Sequence, residues 1–371
     1  MKNTFGQSLQ VTIFGESHGA YIGAVLDGLA PGIKIDEDFI KHQLDLRRPA
    51  GKMSTARVEA DEYQIVSGYY KGMTTGTPLT VIIPNSSQKS KDYENAPRIA
   101  RPGHADFTAN CKYHGYEDFR GGGHFSGRIT AALVVAGAIC YMALKEKGIA
   151  IGTHILSAAG VKDREFEDVL KDLEILSQKY VAVLDDKAET EMTENIGKIA
   201  EEGDSIGGVL ESIILGMPAG VGEPWFDTVE GILAHALFSI PAIKGVQFGA
   251  GFDGVEWKGS QYNDPLRMEG DKVVTTTNNN GGINGGITNG MPITFRLAVK
   301  PTPSIYKEQQ SIEINKLEDA LLQINGRHDP AIIHRARVVV DSITSIVIYD
   351  LLAARYGTDF FGGNKDENIR R

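Results

Sequence analysis

An α+β fold with antiparallel sheets is predicted by two patterns: strands that come in adjacent pairs across short turns, and helices that are apolar nearly all round instead of alternating one-for-one with strands. A third observation concerns size. The 371 residues show no linker or composition shift that would mark a domain boundary, and no solenoid repeat. One domain over residues 1–371 is the expectation.

Residues 9–14 (LQVTIF) and 20–27 (AYIGAVLD) are β-rich runs split by GESHG, which reads as a hairpin displaying Ser17 and His18 on its turn. DEDFIKHQLDLRRP opens with acids, carries Phe39, Ile40 and Leu44 at helical spacing and stops at Pro49, so Arg47 and Arg48 fall in a last helical turn. Two further β-rich runs, EYQIVSGYY and TPLTVIIP, are joined by KGMTTG. A long loop containing RPGHADF leads to RGGGHFSGR, placed at the start of a buried helix over residues 129–145.

In the second half, residues 149–156 and 206–216 read as strands, and 227–239 as a helix. KGVQFGAGF reads as a strand with glycines where something approaches closely. MPITFRLAVKPTP alternates from Met291 to Val299 and breaks at Pro301. Asp329 and Pro330 are expected as N-cap and first residue of a long apolar helix running toward Leu352. Between the strands lies TTTNNNGGINGGITNG, residues 275–290, whose Ile283 and Ile287 can anchor it while its glycines bring bare backbone against a ligand.

A formal net charge of -10 argues against a general nucleic-acid or acidic-membrane binder. Much of the acid lies between Asp163 and Asp204 in amphipathic, solvated helices. No unbroken apolar run reaches the roughly 18 residues that span a bilayer, and the N-terminus shows no secretory apolar stretch. Two cysteines, Cys111 and Cys140, make neither a disulfide framework nor a CxxC pattern. A cytoplasmic, reduced protein with no membrane or nucleic-acid partner is expected.

Basic residues cluster beside Gly, Pro and His: Arg47, Arg48, Lys52 and Arg57; Arg98, Arg101, Arg120 and Arg128; Lys300; Arg327, Arg335 and Arg337. Several such groups in loops of an acidic protein point to an anionic small molecule. His18 and His104 sit in loops with small neighbours, whereas His42, His154 and His235 lie within regular elements, so the first two are the acid/base candidates. No HExxH or carboxylate-rich cluster accompanies them, and no metal is expected. In RGGGHFSGR, Gly121 to Gly123 can offer backbone N–H groups to an anion, Ser126 a hydroxyl and Arg128 a bidentate grip. It is neither a Walker loop nor a dinucleotide fingerprint. GRHDP gathers Arg327, His328 and Asp329, although N-capping alone would account for Asp329. KPTPS offers Lys300, Thr302 and Ser304 on a chain stiffened by Pro301 and Pro303.

The strings FGESHGAYIGAVLDGLAPGI, RPGHADF, RGGGHFSGR, SIPAIKGVQFGAGF, NNNGGINGGITNGMPI, KPTPSI and GRHDPAIIHRA, in this order from residue 14 to 337, resemble the chorismate synthase family. The resemblance implies a β-α-β sandwich with helices between two antiparallel sheets, typically in a homotetramer. It implies a lyase that converts 5-enolpyruvylshikimate 3-phosphate to chorismate and phosphate by 1,4-anti elimination, with reduced FMN and no net redox change. NADPH enters only as an indirect reductant. By the same resemblance Arg47, Arg48, Arg128 and Arg327 would bind the substrate's anionic groups. His104 would assist the departing phosphate, His18 would protonate or hold the flavin, and Ser17, Ser126 and Asp329 would relay the proton lost from C6. Cofactor contacts would come from His124, Phe125, Ser126, Pro241, Ala242, Gly285, Lys300, Pro301, Thr302, Pro303, Ser304 and Arg327.

Three stretches depart from the family pattern. His124 and Phe125 stand where Arg and Ser are common, LRRPAGKMS has one Arg fewer than the common RRRPG, and Asp341 replaces Glu. An FMN-dependent oxidoreductase acting on a phosphorylated small acid is the alternative, and it would need a hydride-donor site for which no fingerprint appears.

Overall fold

Period-two alternation gives Leu79–Pro84 and Ile293–Val299 one buried face, while Ala150–Ala158 and Gly208–Leu215 are buried on both, and two five-stranded sheets result. The computed structural model describes residues 2–49, 61–85, 97–324 and 329–362. In chain order the first half contains β1 (Thr4–Phe5), β2 (Gln10–Gly15), β3 (Tyr21–Asp27), α1 (Glu37–Arg47), β4 (Gln64–Ser67), the small hairpin β5 (Tyr69–Tyr70) and β6 (Met73–Thr74), and β7 (Leu79–Pro84). Then follow α2 (Asp106–Tyr113) and α3 (Thr130–Lys145). The second half contains β8 (Ala150–Ala158), β9 (Val161–Lys162), α4 (Val169–Gln178), α5 (Asp186–Glu201), β10 (Gly208–Leu215), α6 (Val229–Leu237), β11 (Ile243–Phe248) and the short α7 (Gly259–Tyr262). It ends with the hairpins β12 (Leu266–Glu269) with β13 (Lys272–Thr275) and β14 (Ile283–Asn284) with β15 (Ile287–Thr288), strand β16 (Ile293–Val299), the hairpin β17 (Gln309–Glu313) with β18 (Glu318–Leu322), and α8 (Ile333–Tyr356).

The sheets have strand orders β1-β2-β3-β7-β4 and β11-β16-β10-β8-β9. Every pairing in them is antiparallel. Helix α3 packs on β3 and β7 of the first sheet, α8 packs on β8 and β10 of the second, and α3 and α8 pack on each other. The layers are therefore sheet, helices, sheet, as the resemblance implies. Central placement explains why α3 is apolar all round: from Thr130 to Cys140 every residue is buried. The stretch Gly127–Lys145 is long and apolar enough to cross a membrane by length and composition, yet 78% of its apolar window lies inside the fold. Gly137 lets the two central helices touch, since a Cβ there would lie 2.4 Å from the Ser342 Cα.

Helix α8 ties the layers together. Its Asp350 carboxylate accepts hydrogen bonds from the Gln7, Ser8 and Leu9 amides at 2.7–2.9 Å. The Tyr349 hydroxyl accepts one from the Ala30 amide at 2.9 Å. On the second sheet, Thr153 donates to Asp341 of α8 at 2.6 Å. The next residue, His154, points to the opposite face between Asp163 and Glu211.

Two sequence expectations are corrected. Helix α8 begins at Ile333 and not at Pro330, and its N-cap residue Ile332 makes no side-chain cap bond. Asp329 is therefore not an N-cap; its carboxylate pairs with Arg335 one turn into the helix. The long loop containing RPGHADF is also partly helical, because α2 starts at Asp106 within that string.

Candidate active site

Three consecutive glycines, Gly121, Gly122 and Gly123, have φ of 59°, 88° and 53°, a left-handed run that side chains rarely tolerate. Their bare Cα atoms lie against the candidate histidines. A Cβ on Gly121 would sit 2.3 Å from His18 Cε1, and one on Gly122 would sit 3.1 Å from His104 Cε1. The glycines thus serve as a thin wall that lets the GESHG turn and the RPGHADF bend approach from two sides.

His18 is held by its neighbour. Ser17 Oγ lies 3.2 Å from His18 Nδ1 and donates to the Arg120 carbonyl at 3.0 Å, while the Ser17 amide donates to the Gly123 carbonyl at 3.1 Å. Arg120 is in turn clamped by Asp118 at 2.7–2.8 Å, and this hydrogen bond keeps the Asp118 carboxyl below the usual range despite partial burial. His124 Nδ1 lies 2.8 Å from the Gly15 carbonyl, and Phe125 packs edge-on to Tyr113 at 6.2 Å. A small concavity lined by His104, Asp106, Asp118, Phe119, Gly122 and Phe125 among others opens here.

Arg128 belongs to a second cluster joined to the first. Its guanidinium pairs with Asp61, and Asp61 also receives Arg47 Nη2 at 2.7 Å. The Asp61 side chain is fully buried; burial alone would raise its pKa, but the charges of Arg47 and Arg128 outweigh that and hold it low. Two guanidiniums, groups of the kind that grip phosphate or carboxylate, thus converge on one buried carboxylate. Asn85 connects the clusters: its Oδ1 accepts from Arg128 Nε at 3.1 Å, and its Nδ2 donates to the Glu16 and Gly19 carbonyls at 2.9 Å. Arg335 reaches from α8 to the Arg47 carbonyl at 2.9 Å, bringing Asp329 to the same edge. Arg48 pairs with Asp45 of its own helix.

The KPTPS turn closes the far side. Lys300 Nζ donates to the Gly103 carbonyl beside His104, and the Lys300 amide donates to the Ala242 carbonyl at 2.9 Å. Pro303 lies along Gly103, and the Thr302 carbonyl accepts from Ser205 at 2.7 Å. Burial and the nearby Lys244 charge both lower the Lys300 pKa, and no carboxylate pairs with it among the described residues. Thr302 Oγ1 is buried with no hydrogen-bond partner among the described residues. Ala242 holds φ of 76°, strained for a residue with a Cβ.

Ser17, His18, His104, His124, Phe125, Ser126 and Arg128 are thus drawn around one glycine wall, with Arg47, Asp329, Ala242 and Lys300 at its edges. Pro241 precedes the strained Ala242, Pro301 and Pro303 stiffen the Lys300 turn, and Ser304 is buried within it. Gly285 stands apart at the exposed tip of the β14–β15 hairpin, with open space where a side chain would be. Lys52, Arg57, Arg327 and His328 lie outside the described residues. Sequence reasoning passed over Asp61, Asn85 and Asp106. Only Asp106 had a signal, its place two residues after a loop histidine.

A family model described as chorismate synthase matches residues 9–353. Chorismate synthase from Dehalococcoides mccartyi is 45% identical over 354 residues, 95% of this chain and 96% of the relative. The chorismate synthase of Thermococcus kodakarensis is 42% identical over 350 residues, 94% of this chain and 97% of the relative. A crystal structure of chorismate synthase matches with a TM-score of 0.76 and 30% identity, covering 95% of this chain and 94% of that one. The chain belongs to the chorismate synthase family, lyases that form chorismate and phosphate from 5-enolpyruvylshikimate 3-phosphate with the help of a reduced flavin.

Proposed function

We propose that the glycine wall and the residues around it form the site where this chain carries out the chorismate synthase reaction, with His104 and His18 as its two proton-handling groups. The observation that carries the assignment is the placement of both imidazoles against Gly121 and Gly122, each with Nδ1 already engaged. His104 would give a proton or hydrogen bond to the leaving 3-phosphate, because a positioned imidazole matches the charge that develops there. Arg47 and Arg128, with Arg48 and Arg327, would bind the substrate's phosphate and carboxylates. Ser17, Ser126 and Asp329 would pass on the proton lost from C6.

FMN is the flavin that this chain's residues fit. The Lys300 ammonium and the Thr302 hydroxyl, which have no carboxylate and no hydrogen-bond partner respectively among the described residues, and the turn through Pro241 and Ala242 are suitable donors and walls. His124, Phe125, Ser126, Gly285, Pro301, Pro303, Ser304 and Arg327 would complete the contact. When bound, reduced FMN supplies transient electron donation, and the protein's part is to orient it and exclude water. NADPH would serve only indirectly, as the reductant of the flavin. A single domain, supported by one main core that spans both sheets, completes the reading, with a cytoplasmic homotetramer as the assembly that the family resemblance implies.

The test is anaerobic: 5-enolpyruvylshikimate 3-phosphate is supplied with chemically reduced FMN, and chorismate and phosphate are measured. Absence of product would sink the proposal. Product formed with stoichiometric flavin oxidation would favour the oxidoreductase alternative.

A further inference from the structure

We propose that Asp106 is the positioning residue for His104, holding the proton on Nδ1 and leaving Nε2 as the atom turned toward the reacting phosphate. The inference rests on the reading above that His104 meets the substrate. Asp106 Oδ1 lies 2.7 Å from His104 Nδ1. The carboxylate cannot swing away, because Arg101 grips it three times: Nε and the backbone amide donate to Oδ2 at 2.8 and 2.9 Å, and Nη2 donates to Oδ1 at 2.8 Å. A hydrogen bond from the His104 amide to the Arg101 carbonyl at 3.0 Å closes the bend, so three side chains within six residues converge. Asp106 is also the first residue of α2, where a negative charge is favoured by the helix dipole.

The geometry selects one tautomer. If Nδ1 carried a lone pair, it would face a carboxylate oxygen at 2.7 Å, which is repulsive; with a proton it makes a charge-assisted hydrogen bond. Arg101 Nη2 also lies 3.1 Å from Nδ1 and could donate to a lone pair there, but the contact to Asp106 Oδ1 is shorter at 2.7 Å and Arg101 is already committed to that carboxylate, so the proton on Nδ1 is favoured. Other charged groups nearby are Lys300 at the Gly103 carbonyl, and Arg98, Glu117 and Asp118 across the concavity, with His18 beyond the glycine wall. Glu117 is paired with Arg98 and Asp118 with Arg120, so Asp106 is the carboxylate that engages this ring directly.

The ring nitrogens can be read directly by ¹⁵N NMR of the whole protein without added ligand, comparing wild type with Asp106→Asn and Asp106→Glu. Neutral His104 should carry its proton on Nδ1 in the wild type. In Asp106→Asn the tautomer ratio should move at least roughly tenfold toward Nε2–H, and kcat should fall roughly 10²-fold, within the range of a positioned proton-transfer group. KM should stay within about threefold, since the carboxylate is not placed on the substrate. Asp106→Glu should recover Nδ1–H and most of kcat, and it carries the test alone if Asp106→Asn does not fold. Wild-type His104 protonated on Nε2, or an Asp106→Asn variant with unchanged tautomer and kcat, overturns the proposal. If the tautomer responds but His104→Ala turns over normally, the assignment of His104 to catalysis fails, and the contribution of Asp106 to turnover fails with it.

Discussion

His104 touches the concavity through a ring whose far nitrogen is already committed, so its removal should damage chemistry more than binding. Replacing it by Ala is expected to lower kcat roughly 10²- to 10⁴-fold while reduced-FMN affinity stays nearly constant; steady-state kinetics beside a flavin titration would show a merely structural histidine if kcat held. Asp61 should behave in the opposite way. It is the shared counter-ion of Arg47 and Arg128, all three largely buried. Asp61→Ala removes the buried counter-ion that both guanidiniums share and should cost roughly 3–5 kcal/mol. Urea denaturation showing a loss below about 1 kcal/mol, the value of an exposed pair, would place this pair in solvent.

At the scale of elements, the α3–α8 contact joins the two central helices, each of which backs one sheet. Gly137→Ala gains about 1 kcal/mol of helix propensity, but its Cβ meets Ser342 backbone at 2.4 Å, which the helices can relieve only by separating. Overpacking costs typically 1–3 kcal/mol, so net destabilisation is expected in thermal melts, and an unchanged or higher melting temperature would refute it. The β17–β18 hairpin has a quieter part. The Ala100 amide donates to the Ile312 carbonyl at 3.0 Å, and the Ile314 amide to the Arg98 carbonyl at 2.9 Å, fixing the segment that delivers Arg101 and His104.

For the molecule as a whole, titratable groups inside the sandwich set how stability follows pH. Burial pushes the Asp341 carboxyl up to about 6, only partly offset by Arg337 and Thr153. A carboxyl raised in the folded state contributes stability that is complete below its unfolded value near 3.8 and lost as pH rises through about 6. Asp341→Asn should therefore gain on the order of 2–3 kcal/mol relative to wild type between pH 4 and pH 7. Urea melts at the two pH values read this directly, and equal differences at both would refute it. His154 works against its burial: Asp163 and Glu211 raise its pKa, so the stability it lends is present below about 6.5 and lost as pH climbs through the folded value. Asp163 and Glu211 are held low by the same contacts, and what they lend is lost in acid.

The sequence by itself determined the hairpin that carries Ser17 and His18, the all-apolar α3, the antiparallel strand pairs and the glycine run, because each follows from periodicity or backbone freedom within a dozen residues. It also carried the family, through motifs spread from residue 14 to 337. Only the tertiary structure decided that Gly121 and Gly122 separate two histidines 86 positions apart in number, from 18 to 104. It alone paired Arg47 with Asp61 and Arg128, and moved Asp329 from a helix cap to the Arg335 ion pair. A lone Asp or Asn leaves no periodic trace. Its value as a counter-ion or clamp arises when folding brings distant groups within hydrogen-bond reach and removes the water that would otherwise screen them.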